Sequence, residues 1–218
     1  MIFINRLCAW APGIEGSEQW KEWAQDKREI QHSAKGPDLS FTEPMFRRRL
    51  SQISKMTIQV AHDLSLTDDT KIFFFSFRGE LSRQFQINKM LIEENELSPA
   101  AFSLSVFNAP AALASMAIGL KGGYSCIYPG NNSFSQSISI AKAALLGSNA
   151  EKIAYIYADE EIQDEYKTLN NVNSYAVSFG FILSRNENEN NAFLLPDEMV
   201  SPYSFLKNII KGGINVSS

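Results

Sequence analysis

Short, continuously apolar runs punctuate the chain, and between them apolar residues recur every three or four positions. Ile2 to Trp10 is strand-like, and Lys71-Ile72-Phe73-Phe74-Phe75-Ser76-Phe77 has the pattern of a strand covered on both faces. Tyr124 to Tyr128, Lys152 to Tyr157 and Ser174 to Leu183 read likewise. Leu50, Ile53, Thr57, Val60 and Leu64 share one face of a helix entered after Pro44. Phe134, Ile138, Ala141 and Leu145 share a face of another, with Ser133 placed to cap it, and Leu81, Phe85, Asn88 and Ile92 outline a third after Gly79. Strands alternating with such helices predict an α/β fold, a mixed and mostly parallel sheet of about five strands with helices on both faces. The last strand lies between two polar, Asn-rich stretches and is expected to run antiparallel at an edge. Residues 1–218 read as a single domain, with Asp26 to Pro44 as a long connection that no periodicity organises.

Composition narrows the function classes. A formal net charge of −4 disfavours a nucleic-acid reader, which needs a basic face. Cys8 and Cys126 are the only two cysteines, too few for the disulfide framework of a small secreted domain. A cytoplasmic protein is expected, with Met1 to Trp10 a first strand rather than a signal peptide. From Leu97 to Ala141 the only charge is Lys121. Leu97 to Leu120 is long enough to span a membrane, but Pro99, Ser103, Ser105, Asn108, Pro110 and Ser115 interrupt it. It reads instead as a segment hidden in the protein or under a partner.

Candidate chemistry is sparse. His32 and His62 stand in unrelated contexts, and no His, Cys, Asp or Glu set has metal-ligand spacing. Gly123-Tyr124-Ser125-Cys126-Ile127 lacks the second glycine of a nucleophile elbow, and Gly119-Leu120-Lys121-Gly122-Gly123 lacks a phosphate-loop ending. Cys126 has strand neighbours and nothing basic beside it, the setting of an inert thiol. Asp159-Glu160-Glu161 and Asp197-Glu198 read as solvated ends of elements. Arg47-Arg48-Arg49, at an expected helix start, reads as a surface run or a partner-facing patch, since cations there oppose the helix dipole.

The uncharged segment carries a resemblance. Ser98-Pro99-Ala100-Ala101-Phe102-Ser103, Asn108-Ala109-Pro110-Ala111-Ala112 and Gly119-Leu120-Lys121-Gly122-Gly123 together resemble the run leading to the nucleophile of β-ketoacyl synthases. In those enzymes a strand ends at a cysteine that starts a buried helix, and that position falls here on Asn131. Trp10-Ala11-Pro12-Gly13, Trp20-Lys21-Glu22-Trp23, Arg47-Arg48-Arg49-Leu50-Ser51, Ser76-Phe77-Arg78-Gly79-Glu80-Leu81 and Tyr157-Ala158-Asp159-Glu160 are similar to half-length members of the ketoacyl-synthase-like family. The resemblance implies the amino-terminal half of a thiolase-like fold, as in chain-length factors that accompany a complete ketosynthase in aryl polyene pathways.

The departures from the family pattern shape the expected function. Condensation needs a thiolate and, by the family pattern, two histidines from the second half; Asn131 is a poor nucleophile and neither His32 nor His62 maps onto those histidines. The resemblance therefore implies a non-catalytic partner of a full-length β-ketoacyl-ACP synthase in fatty acid or polyketide-type elongation, needing no cofactor and served by an acyl carrier protein. It implies a heterodimer interface along Tyr124, Ser125, Cys126, Ile127 and Tyr128, and leaves a homodimer of the chain alone open; that composition equally fits a strand inside the chain's own sheet. It also implies an acyl tunnel bordered by Phe102, Phe107, Met116, Asn131 and Phe134, and a carrier-protein patch at Arg47, Arg48 and Arg49. Two rivals stand beside it: an acyltransferase or hydrolase using Ser133 or Cys126, and a homodimeric scaffold.

Overall fold

The computed structural model describes residues 1–130, 133–162, 166, 175–186, 192–196 and 201–217. In chain order these contain β1 (Phe3–Trp10), α1 (Gly16–Ala24), α2 (Pro44–Arg47), α3 (Gln52–Asp63), β2 (Ile72–Phe75), α4 (Leu81–Glu93), α5 (Pro99–Ser103) and α6 (Ala109–Ala117). Then come β3 (Tyr124–Ile127), α7 (Ser133–Leu146), β4 (Lys152–Asp159), β5 (Val177–Ser184), β6 (Phe193–Leu194), α8 (Pro202–Lys211) and β7 (Val216–Ser217).

The strands form one sheet in the order β3-β2-β4-β5-β1-β6, with β7 alongside β1. All five expected strands are present, and two two-residue strands extend the sheet to seven. The neighbours β3, β2 and β4 are parallel. β5 runs antiparallel, as expected, but it is not an edge: it lies between β4 and β1, and β1 is antiparallel to it along its length. β1 supplies the partner that a count of runs along the chain could not place.

Period-two alternation divides the core. Phe73, Phe75, Tyr155, Tyr157, Phe179 and Phe181 face one side, against Trp20 and Trp23 of α1, Phe134 and Ile138 of α7, and Phe205 and Ile209 of α8. Ile72, Phe74, Ala154, Ile156, Ala158 and Ile182 face the other, against α3 and α6. A bulge at Arg6, which has φ +46, shifts the alternation of β1 so that Ile4 and Leu7 reach the same face. Gly180 is where α3 comes close to the sheet: a Cβ there would lie 2.8 Å from Val60 Cγ1 and 3.0 Å from the Tyr155 carbonyl oxygen.

Leu50, Ile53, Thr57, Val60 and Leu64 are all buried, as their spacing predicts. Met56, Ile58 and Ala61 are buried too, because α6 packs over the side of α3 that the sheet leaves open. The helix expected after Pro44 is interrupted. Ser51 accepts the Ser54 amide and starts α3 afresh, so Arg47 ends the short α2, Arg48 and Arg49 follow it, and the run does not begin α3. α4 forms after Gly79 as expected, but its stripe is not a core face, since Ile87 alone is buried and Ile92 is exposed. Among the described residues no helix is long and apolar enough to cross a membrane.

Candidate functional site

Because β2, β3 and β4 are parallel, their carboxyl ends emerge on one side of the sheet, the usual location of ligand sites in such folds. β2 leads there into the turn Ser76–Gly79, β4 ends at Asp159, and β3 continues through Tyr128 toward Asn131, which lies outside the described residues. Ser133 opens α7, but its side chain also lies outside the description.

Asp159 organises this end. Its Oδ1 accepts from Ser76 Oγ at 2.7 Å, from the Phe77 amide at 3.1 Å and from the Arg78 amide at 3.2 Å, while its Oδ2 accepts from Tyr157 Oη at 2.7 Å. Ser76 Oγ in turn accepts from the Gly79 amide at 2.7 Å. Gly79 has φ +59, and a Cβ on it would lie 2.8 Å from Phe107 Cδ2, so only glycine lets that ring lie on the turn. The Phe107 ring also meets Phe74 at 6.2 Å and Tyr128 at 4.6 Å between centroids.

Two more acids are sealed beside Asp159. Glu80 accepts from Ser51 Oγ and Ser54 Oγ, each at 2.7 Å, and pairs with Arg83 Nε at 3.2 Å. Glu160 accepts from the Ser82 amide at 2.7 Å, and Arg78 donates to its carbonyl oxygen. The expectation that Asp159 and Glu160 are solvated is therefore corrected: each is 1% exposed. Each sits where loops from other strands close over the end of β4, and its hydrogen bonds offset the loss of water. Burial raises the pKa of Asp159 above the usual carboxylate range despite these donors. Burial, with the nearby charge of Glu80, pushes Glu160 up to about 7. Asp197-Glu198 lies outside the described residues.

The tunnel candidates do not converge on one cavity within the described chain. Phe134 is a core aromatic, 2% exposed and 5.4 Å from Phe205 between centroids, on the opposite side of the sheet from Phe107. Phe102 on α5 and Met116 on α6 are 57% and 72% exposed. Of the interface candidates, Tyr124 to Ile127 are half-buried and Tyr128 is 74% exposed. Among the described residues their strand is the edge of the sheet, bonded to β2 on one side only, rather than an interior strand. Burial pushes the Cys126 thiol up to about 11, which disfavours the thiolate.

Arg47 turns toward Asp38, while Arg48 and Arg49 border a cleft of about 830 Å³ with His32, Arg83, Glu160 and Glu161. His32 Nδ1 lies 2.5 Å from Glu161 Oε1, a contact that sequence spacing did not suggest, and His62 stacks on Phe41. Among the described residues no group of three or more His, Cys, Asp or Glu side chains is placed to hold a metal ion.

Comparison with known proteins agrees with this architecture. Residues 20–205 match the family model described as "Beta-ketoacyl synthase, N-terminal domain". No curated protein matches. Among solved structures, a chain of the ketosynthase ApeO in complex with its chain length factor ApeC, from Xenorhabdus doucetiae, superposes with a TM-score of 0.78 at 22% identity, over 97% of this chain and 92% of that one. The ishigamide ketosynthase/chain length factor superposes at 0.70 with 12% identity, over 87% of this chain and 63% of that one. A type II polyketide ketosynthase in complex with its acyl-carrier protein superposes at 0.61 with 13% identity, over 84% of this chain and 62% of that one. The fold is thus the thiolase-like ketosynthase fold.

Proposed function

The chain belongs to the β-ketoacyl synthase N-terminal domain family, and on that premise we propose that it is a chain-length-factor-like subunit. It pairs with a full-length β-ketoacyl-ACP synthase and shapes the acyl tunnel during fatty acid or polyketide-type elongation, with aryl polyene synthesis as the pathway context. The partner supplies the cysteine and histidines; this chain carries Asn131 at the position corresponding to the nucleophile. It works in the cytoplasm, and an acyl carrier protein approaches by way of Arg47, Arg48 and Arg49.

One observation carries the reading: among the described residues β3 is an edge strand, paired with β2 and with no strand on its outer side. α6 packs against β3 and exposes Met116, while Tyr128 at the end of the strand rests on Phe107. An open strand edge beside exposed Met and Tyr side chains is what strand addition across an interface uses, and a monomer in water would ordinarily protect such an edge. Phe102 and Phe107, on the segment preceding β3, are the candidates for limiting chain length, since one more two-carbon unit needs free volume.

Co-expression with a ketosynthase encoded beside it, followed by native mass spectrometry, tests the pairing. A one-to-one complex is expected, and within it Phe102→Ala or Phe107→Ala should yield longer products. A ketosynthase that pairs only with itself would overturn the proposal. The nucleophile reading of Cys126 is weakened by its raised thiol pKa.

A further inference from the structure

We propose that the cleft between the start of α3, the start of α4 and the end of β4 binds a phosphate group, gripped by the guanidinium groups of Arg48 and Arg49. The inference stands on the cleft itself and does not require the ketosynthase pairing. The charged and titratable side chains lining the cleft are His32, Arg48, Arg49, Arg83, Glu160 and Glu161.

The acids in this set are already engaged. Glu161 gives one carboxylate oxygen to His32 Nδ1 and the other to the Ser33 amide, at 2.5 and 3.1 Å. Glu160 is buried and accepts from the Ser82 amide. Arg83 donates from Nε to Glu80 and from Nη2 to the Arg49 carbonyl oxygen, which fixes the backbone from which Arg49 projects. Arg48 and Arg49 are exposed, and no described carboxylate pairs with either side chain. The third arginine of the run differs, because Arg47 is drawn aside to Asp38.

Two arginines bordering one cleft offer planar guanidinium groups whose forked donors match the oxygens of a phosphate. The floor is rigid, since the Gln52 side chain binds the Ser33 and Lys35 carbonyl oxygens and accepts the Glu161 amide. At about 830 Å³ the cleft exceeds a lone phosphate and leaves room for the molecule that bears it. Two sources share this chemistry, a free phosphorylated metabolite and the phosphate on a carrier-bound pantetheine arm.

The test is calorimetric titration of the full chain with inorganic pyrophosphate, with 4′-phosphopantetheine and with unphosphorylated pantetheine. Both phosphorylated probes should bind and pantetheine should not; tighter binding of phosphopantetheine points to the carrier arm, tighter binding of pyrophosphate to a free metabolite. Arg48→Gln with Arg49→Gln should weaken binding at least roughly tenfold, the single variants less, and Arg47→Gln should leave it within about twofold. Absence of binding at millimolar probe, equal binding to the double variant, or equal loss in Arg47→Gln would each overturn the site. Loss of ketosynthase pairing, read separately by native mass spectrometry, bears on the proposed function and not on this cleft.

Discussion

Ser76 Oγ donates to Asp159 Oδ1 over 2.7 Å, joining residues 83 positions apart and locking the turn after β2 to the end of β4. Asp159 also holds the Phe77 amide and Tyr157 Oη. Asp159→Ala leaves these buried donors without an acceptor, and the chain should lose about 3–5 kcal/mol of unfolding free energy in urea melts. Asp159→Asn keeps an oxygen at the site, and because burial already favours the neutral acid it should recover most of that loss.

Glu160 predicts a pH effect of defined sign. Its folded pKa, about 7, lies above the ordinary glutamate value, so the folded chain holds the proton more tightly than the unfolded chain. Below the unfolded pKa the group is neutral in both states and carries no penalty. As pH rises through the window up to about 7, the unfolded state ionises first and stability falls, by an upper bound of about 3 kcal/mol. Glu160→Gln should therefore exceed the parent in stability at pH 8 and converge with it near pH 4 in parallel denaturant titrations.

Gly180 sets how closely α3 approaches the sheet. Gly180→Ala would place a methyl group against Val60 and the Tyr155 carbonyl oxygen, at a cost of about 1–3 kcal/mol. Differential scanning calorimetry should show a thermal midpoint lower by roughly 5 °C.

The exposed residues around β3 separate folding from pairing. Tyr128→Glu and Met116→Glu alter side chains that lie mostly in water in the free chain, so its thermal midpoint should move by less than about 0.5 kcal/mol equivalent. Under the proposed pairing each substitution buries an unpaired charge, and affinity for the ketosynthase should fall at least tenfold in a pull-down titration.

The strands were legible because buried strands carry continuous apolar runs, and α3 because its period is undisturbed from Ile53 to Leu64. Three features escaped. The interior place of β5 depends on β1, more than 160 residues away, and no local pattern encodes that pairing. α8 opens on a capping box at Ser201 and Ser204, made by two serines rather than by the usual Ser and Glu pair. The burial of Asp159 and Glu160 is not legible locally, because acids at the end of a strand usually face water. Here Ser76 and the Ser82 amide reach them from about 80 positions away in the chain, and Tyr157, on the same strand, adds a local donor. The cleft bordered by Arg48 and Arg49 likewise joins four segments that only the folded sheet brings together.

The position of β1 has a consequence for how the protein comes into being. Every strand it pairs with follows it by a long interval: β5 starts at Val177, and β6 and β7 come later still. A ribosome adding about 5–20 residues per second needs on the order of ten seconds or more to deliver the first of these partners. Throughout that interval Phe3 to Trp10, a strand whose side chains end almost entirely inside the core, has no strand to join. Such long-range closure is slow and entropically costly. Ile4 and Leu7, fully buried once β5 arrives, are thus the residues a nascent-chain chaperone has most reason to shelter.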